Sequence, residues 1–106
     1  MVYQPDGWML VKIGGQTPHY RVFGSWAGGY LDGDSWRLNS GVESCEKDGE
    51  YYVFHGGSGS VYRCHESTYG RLTAYNYGVL NSYQERAQGT FATIDEMPDI
   101  MEISWK

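Results

Sequence analysis

Positive charge is scarce in this chain. Eight Lys and Arg stand against thirteen Asp and Glu, a formal charge of −5. Without a basic footprint to hold a phosphate backbone, direct nucleic-acid binding is not expected. Cysteine is scarce too. The two thiols, Cys45 and Cys64, form no Cys-x-x-Cys pair, which excludes the common zinc-finger and ribbon spacings. No apolar stretch is long enough to span a bilayer. Met1–Asp6 lacks a basic region followed by an apolar run, so no secretory leader is expected. These absences point to a cytoplasm that keeps thiols reduced. Leucine and alanine are few, which weakens the case for a helical protein.

Aromatic residues and glycine take their place: ten Tyr, four Trp, three Phe and fifteen Gly. That mixture favours strands and turns. Charged residues make up only 20%, too few for a disordered chain. A length of 106 residues suits one domain over residues 1–106, with large aromatic side chains supplying much of the buried area.

The firmest stretch is Val42–His65. Asp48-Gly49 between two alternating runs predicts a hairpin with a type I′ turn. With those two residues at the turn centre, Lys47 faces Glu50 and Cys45 faces Tyr52, and Cys45, Tyr52 and Phe54 share an inward face. The Gly56–Ser60 loop then reverses the chain into Val61–His65, where Tyr62 and Cys64 face one way and Val61, Arg63 and His65 the other.

Residues 1–7 read as a lead-in. Trp8–Ile13 is nearly continuous in apolar character, which predicts a strand buried on both faces or central in its sheet. His19–Trp26 and Ser35–Asn39 are further strands, the latter with Trp36 and Leu38 inward and Arg37 outward. Gly28-Gly29 and Asp32-Gly33-Asp34 are turn signals. Residues 66–89 admit two readings. Leu72, Tyr75, Val79, Leu80, Tyr83 and Ala87 lie on one helical face, with Ser67 or Thr68 as cap and Gly89 as stop. Alternatively, Val79–Arg86 pairs as a strand with Thr90–Asp95. Thr90–Ile94 reads as a strand. Ile100–Trp105 reads as a terminal strand docked on the first, with Met101, Ile103 and Trp105 on one face. The acids Asp95, Glu96, Asp99 and Glu102, interleaved with apolar residues, read as an amphipathic closing element.

Two constellations suggest a ligand. Consecutive amides in Gly57, Ser58, Gly59 and Ser60 are the type that cradles phosphate, although neither a P-loop nor a nucleophile elbow is spelled out. Arg21, Arg37 and Arg63 each follow an aromatic residue. With the aromatics inward, the arginines point outward, and on neighbouring strands they and His65 would form an anion-binding stripe beside that loop. The opposing reading is a set of solvated arginines and an ordinary turn. For a protein contact, Tyr30, Trp36 and Tyr51 are the aromatic anchor candidates. His19, His55, His65, Cys45 and Cys64 do not follow a metal-ligand spacing, and adjacent Cys64 and His65 point apart on a strand, so no metal or other cofactor is expected. No catalytic triad stands out in the order of the chain.

The run Phe23–Gly41, with Ser58–His65 and Tyr69-Gly70 downstream, resembles small uncharacterised accessory proteins of tailed bacteriophages over about residues 8–83. The family has no established activity, so no functional residue carries over. The resemblance implies a context, the cytoplasm of an infected bacterial host. It also implies a class, since accessory genes of this size often encode inhibitors of host functions, including anti-CRISPR and other counter-defence proteins.

The expected fold is mainly β: a small antiparallel sheet or SH3-like, partly closed barrel, with one helix within residues 69–88 on the helical reading. The leading functional expectation is a non-enzymatic inhibitor of a host defence protein that acts by contact. The alternative is a nucleotide sponge built on the arginines and the glycine loop, and a small enzyme ranks third.

Overall fold

A computed structural model describes residues 1–28 and 33–105. They form two four-stranded sheets and one α-helix, and the sheets do not close into a barrel. The first sheet holds β1 (Val2–Tyr3), β7 (Val61–His65), β6 (Tyr51–Gly56) and β5 (Val42–Asp48), in that spatial order. The second holds β4 (Ser35–Leu38), β3 (His19–Trp26), β2 (Gly7–Ile13) and β8 (Phe91–Thr93). All pairings are antiparallel except β1 with β7.

The apolar run in β2 has the expected cause. The strand is central in its sheet, and both faces are buried. Trp8 and Leu10 face the other sheet and share a core with Val22, Val42, Phe54, Tyr62, Cys64 and Ile100. Met9 and Val11 face the helix and pack with Phe23, Leu80 and Phe91. One strand therefore carries two cores by simple alternation.

The helix, α1 (Ala74–Arg86), settles the ambiguous stretch in favour of the helical reading, but from a different cap. The Thr73 hydroxyl accepts from the Asn76 amide at 3.1 Å, a standard N-cap bond. Leu72, Val79, Leu80, Tyr83 and Ala87 pack inward as their spacing predicts. Tyr75 does not: it is 64% exposed, and Asn76 is buried beside it. The Asn76 amide nitrogen donates to Ser25 Oγ and to the Ser35 carbonyl, both at 2.8 Å. Two directed hydrogen bonds to the sheet hold a polar side chain in the interface that a count of apolar positions assigns to tyrosine.

The hairpin forms with a shifted turn. Asp48 pairs with Tyr51 and Cys45 with Phe54, so Gly49 and Glu50 occupy the turn centre. Gly49 has φ +61° and, among the described residues, no non-glycine residue has positive φ, which fits a type II′ turn with glycine first. A type I′ turn centred on Asp48-Gly49 would force Asp48 into the left-handed region. The shift moves each partner by two residues, so the inward faces survive. The Lys47–Glu50 pair does not. Lys47 faces Tyr52 instead, with its ammonium 4.3 Å from the ring centroid, and it pairs with Glu66.

Two terminal expectations need correcting. Val2–Tyr3 is a strand rather than a lead-in, paired in parallel with Val61–Tyr62. At the other end Ile100–Glu102 forms a 3-10 turn rather than a strand, and β2 is flanked by β3 and β8. Pro98 and the burial of Ile100 favour a tight turn that drops one side chain into the core. Ile103 and Trp105 still pack on that core while Met101 is exposed, so the segment closes the domain as its amphipathic pattern implies.

Candidate functional site

The arginine stripe does not assemble. In the β3–β4 register Gly24 faces Arg37, and in the β2–β3 register Val11 faces Arg21. Alternation along β3 then puts Arg21 on the helix side of the sheet and Arg37 on the opposite side. Arg63 lies on the other sheet, on its outer face. Each guanidinium has its own partner. Arg21 Nε donates to His19 Nε2 at 3.0 Å. Arg63 bonds Asp48 at 2.9 Å and lies 3.9 Å over the Tyr51 ring. Arg37 lies 4.5 Å over the Tyr3 ring and, among the described residues, meets no carboxylate.

The glycine loop spends its amides internally. Gly56 N–H donates to the Ser60 carbonyl, Gly57 to Gly41, Ser58 to Ser40 Oγ and Gly59 to Gly56. The Glu43 carboxylate also lies against Gly57. The arrangement is that of a braced turn with a carboxylate beside it.

The outer face of the first sheet is likewise self-paired. His65 bonds Glu50 at 3.1 Å, and His55 bonds Glu46 at 2.9 Å. Tyr51 lies edge-on to His65 beneath Arg63, so this anchor candidate is covered. Tyr30 lies outside the described residues. The thiols face inward, where burial pushes Cys45 up to about 12 and Cys64 well above its ordinary value. Both are therefore poor nucleophiles at neutral pH. Among the described residues no group of three or more His, Cys, Asp or Glu could hold a metal ion, and no helix is long and apolar enough to cross a membrane.

Trp36 leads to the remaining surface. Its indole stacks on Phe23 at 5.5 Å with the planes 10° apart, and it meets Tyr83 edge-on at 5.6 Å. Along with Tyr75, Gly78, Val79 and Arg86, it lines a mostly apolar groove of about 430 Å³ between β4 and α1. The next residue, Arg37, points to the other face of β4. There it lines a second groove, of about 620 Å³, with Tyr3, Gln4 and Trp26. Tyr3 and Trp26 meet edge-on at 6.3 Å, and the Trp26 indole N–H donates to the Gln4 carbonyl at 3.1 Å. A Cβ on Gly24, opposite Arg37, would lie 3.2 Å from the Trp26 ring and 3.3 Å from Pro5, so a larger residue there would press on this groove wall.

Between the two grooves runs an open strand edge. The Asn39 amide donates to the Val22 carbonyl at 3.0 Å. By the alternation of an antiparallel ladder, the amides and carbonyls of Leu38 and Trp36 then point away from β3. Among the described residues, β4 has no second neighbour in its sheet. Of the residues singled out from sequence, Trp36 and Arg37 therefore meet on this edge. Tyr3, Trp26 and Tyr75 were missed. The Thr73 cap that rotates Tyr75 outward was the one legible signal for any of them.

Comparison with family models, curated proteins and solved structures returns no match, so the function is argued from this geometry.

Proposed function

We propose that this chain is a non-enzymatic accessory protein of a tailed bacteriophage. It inhibits a host defence component, of anti-CRISPR or other counter-defence type, by protein–protein contact in the cytoplasm of the infected bacterium. The supporting observation is the β4 edge, whose outward backbone groups have no strand partner among the described residues and lie between an aromatic groove and a guanidinium that meets no described carboxylate. Aromatic residues and arginine are the side chains that most often anchor protein contacts. A nucleotide sponge gains no comparable support, because the three arginines are dispersed and the amides of Gly57, Ser58 and Gly59 already have acceptors.

The test is phage plating on bacteria that each carry one defence system, with and without this chain. The expected result is restored plating against one system, together with co-purification of its tagged complex. Trp36→Ala should lose both effects while the melting temperature shows the variant is folded. Failure to relieve every system tested overturns the reading, as does turnover of a nucleotide by the purified protein.

A further inference from the structure

Strand β4 offers its partner a specific chemistry. An added strand would hydrogen-bond through the outward groups of Trp36 and Leu38. Residues of that strand opposite Trp36 and Leu38 would direct their side chains to the helix side, into the groove walled by Trp36, Tyr75, Val79 and Tyr83. The residue between them, opposite Arg37, would point to the other face. It would occupy a non-hydrogen-bonded position, where facing side chains approach most closely. The guanidinium there is held over Tyr3. Among the described residues it meets no carboxylate, the group with which arginine makes bidentate contact.

We infer that β4 is a docking edge for an extended peptide segment in which an acidic residue is flanked at alternate positions by apolar ones. The inference rests on the contact reading above and specifies its partner. Charge complementarity selects this occupant over a second copy of the chain. Two β4 edges paired about Arg37 would set one guanidinium against the other, which is unfavourable. The strand spans four residues, about 13 Å at ordinary strand rise, so the recognised segment is short. Peptides that add to a sheet edge take affinity from main-chain bonds and specificity from alternate side chains.

The probes are synthetic peptides of alternating glutamate and valine or alternating lysine and valine, with the intact chain labelled for amide hydrogen exchange and NMR titration. The glutamate peptide should slow exchange at the Trp36 and Leu38 amides and shift the Arg37 resonances. The lysine peptide should bind about tenfold or more weakly, as a swapped charge predicts. Arg37→Glu should reverse that order, and because it gives up only an exposed contact with Tyr3 the melting temperature should fall slightly while the variant stays folded. A glutamate peptide N-methylated at alternate residues should lose binding, because its donors are blocked. Several outcomes overturn the inference: no binding of the glutamate peptide, equal binding of both peptides, protection elsewhere with β4 unchanged, or self-association through β4. If Arg37→Glu still relieves a defence system in the plating assay, the edge is not the contact although the proposed function stands. If the peptide binds but no system is relieved, the edge is real and the function is not.

Discussion

The indole N–H of Trp8 donates to the carbonyl of His65 at 2.7 Å, which joins the middle of one sheet to the end of the other. Trp8 is fully buried, and its ring meets Phe54 at 5.3 Å and Tyr69 at 4.8 Å. Trp8→Ala is expected to cost about 3–5 kcal/mol, the usual range for a large aromatic removed from a core. Trp8→Phe keeps most of the packing but loses the bond, and should cost about 1–3 kcal/mol. Urea denaturation of both variants checks the order.

Tyr69 makes a second tie. Its hydroxyl accepts from the Leu10 amide at 3.1 Å and donates to the Ile94 carbonyl at 2.6 Å. Tyr69→Phe strands both backbone groups in a partly buried site and should cost about 1–3 kcal/mol. The measurement is again denaturant unfolding, and a change below the error of the method would contradict the role assigned to the hydroxyl.

Alkaline pH should unfold this protein early. Burial raises Cys45 and Tyr69 each to about 12, and raises Tyr62 and Cys64 as well. The unfolded chain loses these protons near 9.0 for Cys and 10.0 for Tyr. The folded state holds them longer, so stability is fully present below pH 9 and falls as pH rises through 9 toward 12. Melting temperatures measured from pH 7 to 11 should show this slope. Cys64→Ala should flatten its first part, between about pH 9 and 10, relative to its own neutral value.

At Asn76 the prediction separates size from charge. Asn76→Ala removes the donor to Ser25 and Ser35 and loosens α1 from β4. Asn76→Asp removes the donor and also places a carboxylate among acceptors at a fully buried position. Aspartate should therefore be the worse replacement at neutral pH, with the gap closing in acid as its carboxyl protonates. Thermal unfolding of the two variants at pH 7 and pH 4 reads both parts.

Gly49 tests the hairpin register. With φ at +61°, Gly49→Ala should cost about 1–2 kcal/mol. Gly49→Asn should be milder, because asparagine tolerates the left-handed region. Asp48→Ala removes only an exposed pair with Arg63 and should cost less than about 1 kcal/mol. A turn centred on Asp48-Gly49 predicts a larger effect at Asp48, so the pair of measurements distinguishes the two registers.

Strand locations were legible because alternation and turn residues are local signals. The apolar run Trp8–Ile13 also pointed to its central, doubly buried position, because a strand covered on both faces loses the usual alternation. The hairpin turn missed by one residue because Asp-Gly serves two turn types, and only the cross-strand partners decide between them. The dispersal of Arg21, Arg37 and Arg63 could not be read at all, because it depends on which strand joins which sheet. The β4 edge was half legible. Trp36 and Arg37 stood out as a pair, but Tyr3 and Tyr75 reach the same surface through a parallel strand pairing and a helix phase set by Thr73.

The alternation along β2 has one more consequence. Trp8 and Leu10 serve one core while Met9 and Val11 serve the other. No cut between neighbouring residues of that strand can release one core and leave the other intact. Loss of β2 takes side chains from both at once, so the strand couples the melting of the two layers.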